Sequence, residues 1–268
     1  MISASVGRRC KNNTYDVKTV QVLLNLNMNR LSPLTAIRQD GRLDTATITA
    51  IEAFQARVMS VAKPDGRVDP TGATLRQLRE GMTGGFSEAK LQGIMIRADA
   101  HAVKTYYPVL NQKMSQYGIN TPLRMAHFLA QIAHESQQLA RTEELASGEA
   151  YEGRVDLGNT QPGDGRQFKD RGLIQLTGRA NYEAYGKARD ADYTTDDKVW
   201  LIGIDPYLAA DAACWFWTVK KHATAKQSAN SLADVDDLRG VTYTINGGYN
   251  GLEDRRRVLE RAKFFLIR

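Results

Sequence analysis

The chain has 268 residues, 42% of them hydrophobic and 25% charged, with a formal net charge of +6. That is enough length for one large domain or for a small plus a medium one. No apolar run approaches the roughly 20 residues of a membrane span, so stable membrane insertion is not expected. The opening MISASVGRRCKNN lacks the apolar core of a signal peptide, and synthesis in the cytoplasm without a signal is expected. Cys10 and Cys214 are the only cysteines, too few for a disulfide framework or a zinc cluster.

Charge is unevenly spread. Residues 1–80 carry 12 Lys and Arg against 7 Asp and Glu, whereas 81–268 carry 24 against 23. A basic N-terminal piece favours polyanions such as nucleic acid, anionic membrane or the acidic bacterial wall, and charge alone does not choose among them or against a merely soluble surface.

In chain order, residues 16–27 place Val17, Val20, Leu23 and Leu24 at helical spacing, with Asp16 as the expected N-cap. A second short helix follows Asp44, with Ile48, Ile51 and Phe54 on one stripe. The segments DGRLDTAT (40–47) and DGRVDPTGAT (65–74) read as one motif used twice. The expectation is a compact bundle of short helices over 1–80. Glu80–Ser87 has three glycines in eight residues, which predicts a linker over 81–90. Beyond it, helical patterns at about 88–117, 122–138, 179–189, 206–220 and 252–267 describe a larger domain over 91–268. A long irregular region, 145–178, holds seven glycines, and such a loop in a compact domain is usually functional. Thr242–Gly251 reads as turns through its Asn-Gly steps. The last helix, RRRVLERAKFFLIR, aligns Val258, Leu259, Ala262, Phe265 and Leu266 on one face, simpler to read as packed on its own domain than as a nucleic-acid or membrane tail.

On the helix from Pro122, Met125, Phe128, Leu129 and Ile132 form the apolar stripe, and Glu135 continues it. A carboxyl in apolar surroundings has its pKa raised, as a general acid needs; the alternative is an acid paired with an arginine at a helix end. Glu144, nine residues on, would face away on an uninterrupted helix, so the chain must turn back around 138–142 for the two carboxyls to cooperate. Glu143 and Glu152 compete with it. The pair His134-Glu135 invites a zinc-protease reading, which fails because position 138 is Gln; His127 and His134 read better as structural. In GNTQPGDGRQFKDRGLIQLTGRANY (158–182), Gln175 and Thr177 would project on one side of an extended strand, with Asn181 on the next helix. These neutral groups suit a sugar or an attacking water, or equally the loop's own backbone.

Together, AHES (133–136), AYEGRVDLGNT (150–160), GDG (163–165), RGLIQLTGRANY (171–182) and TYTINGG (242–248) resemble glycoside hydrolase family 19, the chitinase-like group that includes many bacteriophage endolysins. The DGR…T…AIEAFQ pattern of the first half is similar to a three-helix peptidoglycan-binding module. The resemblance implies a mainly α protein: the small module at 1–80, a linker, and a helical lysozyme-like catalytic domain at 91–268. It implies Glu135 as acid, Glu144 as second carboxylate and Thr177 as the hydroxyl that positions water. Gln175, Asn181, Tyr182, Asn246 and Arg261 would bind substrate, and Glu152 is the alternative to Glu144. The implied activity is hydrolysis of β-1,4 bonds of bacterial peptidoglycan in the periplasm, or of chitin, without cofactor or metal. Peptidoglycan is the expected partner, with no nucleic acid, and a monomer is expected. Where the family usually has Gly, this chain has Asp170; Asp tolerates left-handed backbone, so the loop is expected to survive.

Overall fold

The structure, a computed structural model, describes residues 1–224 and 226–267. Among these residues the chain is mainly helical, as the sequence implied, and no helix is long and apolar enough to cross a membrane. It divides into two compact units: Met1–Arg97 with the chain's end from Phe264, and Ala98–Lys263.

The first unit contains α1 (Thr14–Leu26), α2 (Thr45–Arg57), α3 (Ala73–Glu80) and α4 (Glu88–Ile94), with a two-stranded antiparallel ladder of β1 (Val6–Gly7) and β2 (Arg67–Val68). Val17, Val20, Leu23, Leu24, Ile51 and Phe54 are fully buried, as their spacing required. The repeated DGR motif is a repeated structure. Gln21, on α1, donates to Arg42 O (2.9 Å) and Thr47 Oγ1 (3.2 Å) and accepts from Gly41 N (2.9 Å). Gln55, on α2, makes the same bonds to Arg67 O (3.0 Å), Thr74 Oγ1 (3.3 Å) and Gly66 N (3.0 Å). Each glutamine replaces the backbone partners that a tight turn lacks, and the central glycines take the left-handed φ such a turn demands, +75° and +67°.

Three expectations fail here for local reasons. Asp44 does cap α2, accepting from Thr47 N, but Asp16 does not cap α1, which starts at Thr14 after Asn13. The Asp16 carboxylate instead turns inward and accepts from Ser3 N (2.9 Å) and Ala4 N (3.0 Å), the amides of a bend that precedes β1. The linker predicted at 81–90 ends early: Ser87 caps α4 by accepting from Lys90 N, and Leu91 and Ile94 are fully buried. The units part after Arg97.

The second unit is built on α5 (Ala100–Gln116) and α6 (Pro122–Glu135), followed by the short α7 (Asp164–Gln167), α8 (Arg179–Lys187), α9 (Leu201–Ile204), α10 (Pro206–Val219), α11 (Ala229–Asp234), α12 (Leu238–Asn246) and α13 (Leu252–Leu266). Helix α10 packs on α5 and α9, and α6 packs on α11 and α12. Phe128 of α6 meets Trp217 of α10 edge to face, ring centroids 5.5 Å apart. Residues 242–246, read as turn, are the end of α12, because Leu238, Val241, Thr242 and Ile245 are buried at helical spacing. Only the Asn-Gly step breaks the helix, with Gly247 left-handed at its C-terminus.

Because each glutamine holds buried turn groups that would otherwise go unpaired, Gln21→Leu and Gln55→Leu should each lower stability by ~1–3 kcal/mol. Urea unfolding checks this. Clearly unequal losses would contradict the structural equivalence of the two repeats.

Candidate active site

Helix α6 stops at Glu135 because the next residues leave helical space: Gln137, Gln138 and Leu139 all have left-handed backbone, φ +51°, +59° and +68°. Three such residues in a row are costly for side chains with a Cβ. The surroundings hold them. Ser136 Oγ donates to Ile132 O and accepts from Leu139 N, and Leu139 is buried. The chain then runs back as a short extended piece: Gly172 N donates to Thr142 O (2.7 Å) and Glu144 N to Asp170 O (3.1 Å). The reversal that the spacing of Glu135 and Glu144 demanded is therefore present.

The result is a cleft of about 420 Å³ in the second unit, lined by Glu135, Tyr151, Asp170, Gln175, Thr177, Asn181, Lys220 and Asn246 among others. Glu135 stands on the buried side of α6 but not in an apolar socket. Its Oε1 accepts from Arg255 Nη2 at 2.5 Å, and that guanidinium is fully buried. The surroundings are thus those of the alternative weighed from sequence, an acid paired with an arginine, and the pair faces a cleft. Glu144, expected as the second carboxylate, is not itself among the lining residues; its carboxylate stands against two that are, accepting from Tyr151 Oη (3.3 Å) and Asp170 N (3.2 Å).

Asp170 is the residue that sequence reasoning undervalued. It is not left-handed, so tolerance of that conformation is not the reason the loop survives; Gly172, with φ +77°, and Gln175, with φ +55°, make the turn instead. The Asp170 carboxylate projects into the cleft, accepting hydrogen bonds from Thr177 Oγ1 and from Tyr151 Oη (3.2 Å). Burial, and then the nearby charges of Glu144 and Glu135, push its pKa above the usual carboxylate range, although the bond from Thr177 opposes them. Burial beside Asp170 and Glu144 holds the Tyr151 phenol well above its ordinary value, so it stays a donor.

Of the other expected residues, Gln175 and Thr177 line the cleft from a turn rather than an extended strand, the Gln175 amide donating to Gly172 O at 2.9 Å. Asn181 and exposed Asn246 also line it. Tyr182 does not. It is fully buried, its hydroxyl donating to Lys169 O (3.0 Å) and accepting from Arg171 Nη1 (3.2 Å), with its pKa pushed up to about 12 by burial. Glu152 is tied up as well, accepting from Gly163 N (2.7 Å) and Gly165 N (2.8 Å) at the loop 163–165. Arg261 is not among the lining residues, and the arginine at the site is Arg255. Sequence could have pointed there: Arg255 precedes Val258, Leu259 and Ala262 by three, four and seven residues, so it continues the apolar stripe of α13. The two α6 histidines are each held by a carboxylate, His127 by Asp236 and His134 by Asp254, both at 2.8 Å.

Residues 123–235 match the glycoside hydrolase family 19 model described as Chitinase class I. The second unit is a glycoside hydrolase family 19 domain. A Haemophilus influenzae protein named for a glycosyl hydrolase family 19 domain is 27% identical over 186 residues, 58% of this chain and 86% of that protein. An Arabidopsis thaliana endochitinase is 28% identical over 142 residues, but only 45% of its length is matched. The fold is that of chitinase C from Streptomyces griseus, with a TM-score of 0.54 at 22% identity, covering 75% of this chain and 81% of that one. The expected family, the mainly helical fold and the glycosidase class are thereby borne out.

A carboxyl whose folded-state pKa is raised binds its proton more tightly when folded, so its effect on stability is most favourable below the unfolded pKa and declines as pH rises through the folded one. Asp170→Asn should therefore gain thermal stability relative to wild type as pH rises through that window and hold the gain above it. A Tm difference that shrinks over the same interval would show that Asp170 is not strained by burial as a charge.

Proposed function

We propose that this chain is an endolysin, a family 19 glycosidase that cleaves the β-1,4 bonds of bacterial peptidoglycan and is kept on the wall by its first unit. The observation that carries the reading is that Glu135, Asp170 and Thr177 line one cleft and that Glu144 stands against two of its lining residues, Tyr151 and Asp170, with hydroxyl donors already on the carboxylates. Glycoside hydrolysis needs one carboxyl to give a proton and another to take one. With Oε1 of Glu135 anchored on Arg255, Oε2 is the oxygen available to protonate the leaving group. As the C–O bond breaks, water adds to the anomeric carbon and its proton passes to Glu144. Thr177 orients that water. Its hydroxyl hydrogen has Asp170 and Gln175 O (2.9 Å) as acceptors, which leaves its lone pairs to accept from the water. Tyr151 Oη, 3.3 Å from Glu144 and 3.2 Å from Asp170, shares its one proton between the two carboxylates and keeps them together.

The duplicated helix–DGR unit and the basic excess of residues 1–80 support a wall-binding module in the first unit. In this reading the enzyme is made in the host cytoplasm, acts on periplasmic peptidoglycan as a monomer, and uses no cofactor. Similarity to endochitinases favours a second reading, hydrolysis of chitin, for the same site.

Digestion of purified peptidoglycan should yield new reducing sugar ends, and Glu135→Gln should slow their release by ~10²–10⁴-fold, the usual worth of a general acid. Free amino groups released from stem peptides, in a reaction stopped by chelator, would replace the glycosidase reading with a metal amidase. The same Glu135→Gln chain should still sediment with insoluble peptidoglycan; failure to do so would remove the binding module from the proposal.

A further inference from the structure

Lys220 follows the last residue of α10 and lines the cleft beside Asn181 and Phe216. Its ammonium donates to Asn181 Oδ1 at 3.3 Å and lies 4.7 Å from the Phe216 ring centroid. Among the described residues no carboxylate pairs with it, and burial alone lowers its pKa. The other cation of the cleft, Arg154, is already held by Asp156 at 2.5 Å. An ammonium partly withdrawn from water without a counter-ion is costly, and this one faces the space where a glycan must lie. The helix C-terminus behind it eases the cost but does not supply a pairing group.

Chitin would offer this cation only hydroxyls and acetamides. Peptidoglycan offers carboxylates, on the lactyl group of its muramic residues or on the stem peptide attached there. Resting on the peptidoglycan reading above, we infer that Lys220 is a specificity residue, whose ammonium pairs with a carboxylate carried by the muramic unit. The pairing would be charge-assisted and partly desolvated, the setting in which such bonds contribute most. Substrate would restore the counter-ion that the free protein lacks, so the contact acts mainly on binding and leaves the proton transfers at Glu135 and Glu144 untouched.

The test compares wild type, Lys220→Met and Lys220→Arg on soluble glycan strands, with and without stem peptides, each with native carboxyls or with carboxyls blocked as methylamides. Blocking should cost the wild type ~10-fold in kcat/KM, mainly through KM, as expected for one charged hydrogen bond. Lys220→Met should not distinguish native from blocked strands, whereas Lys220→Arg should. A preference on peptide-free strands places the carboxylate on the lactyl group; a preference confined to peptide-bearing strands places it on the stem, and either supports the inference. Equal sensitivity to blocking in Lys220→Met and wild type overturns it, as does a wild type indifferent to blocking. If wild type cleaves chitin oligomers but none of the peptidoglycan strands, the peptidoglycan reading itself fails.

Discussion

The second unit depends on a charge that cannot be neutralised. A guanidinium keeps its proton at any ordinary pH, and Arg255 is fully buried, so each of its nitrogens must find an acceptor inside the protein. Nη1 donates to Gln131 Oε1 at 2.6 Å, Nη2 to Glu135 Oε1 at 2.5 Å and Nε to Asn250 O at 3.2 Å. Gln131 and Glu135 are one helical turn apart on α6, so two of the three acceptors come from one face. The fork fixes the rotamer of Glu135 and the register of α13 against α6 at once. Removing one partner of such a pair leaves the other charge buried and typically costs about 3–5 kcal/mol. The carboxyl proposed to do the chemistry is therefore also the one that stability requires to stay in place, and only its second oxygen remains uncommitted.

From that anchor the remaining parts of the site follow by backbone geometry. Left-handed residues 137–139 turn the chain back, and the extended pairing of 142–144 with 170–172 sets Glu144 against Asp170. The strain of the turn is local to the segment between the two carboxyls. Thr177 and Tyr151 then bridge side chains that three separate segments deliver. None of these bridges lies on a long helix, which is why the site needs the loop that surrounds it.

What could be read from sequence was what obeys a period. The stripe on α6 placed Glu135 on the buried side, and the repeated DGR motif announced a repeated structure. Residues whose partners are distant in sequence could not be read the same way. Asp16 looks like a cap in sequence because its partners, Ser3 and Ala4, lie in a bend more than ten residues away that has no periodic signature. Tyr182 and Arg261, carried over by resemblance, lie off the cleft. Tyr182 turns inward to satisfy Lys169 O and Arg171, while the Arg255 that α6 needs sits about one and two-thirds helical turns before Arg261 on α13. Asp170 stands in sequence only as a departure from a glycine, a signal about backbone, whereas its importance lies in the side chain that meets Thr177 and Tyr151 in the cleft.

The two units divide the electrostatic work by range. Excess positive charge over residues 1–80 attracts polyanions generally, but at physiological ionic strength that attraction is screened within about 8 Å. In the proposed reading it would retain the enzyme on a wall without reading what the wall is made of. Discrimination needs a charge placed where water and salt are partly excluded and where only one substrate brings the opposite sign. The cleft's two carboxylates outnumber its free cation, and each already has a donor within the protein, as does Glu144 beside them: Glu135 has Arg255, Asp170 has Thr177, and Glu144 has Asp170 N. Lys220 alone among the cleft's charged groups has only a neutral acceptor, Asn181. A site that satisfies its acids internally and leaves one cation to the ligand is poised for a polymer that is itself acidic.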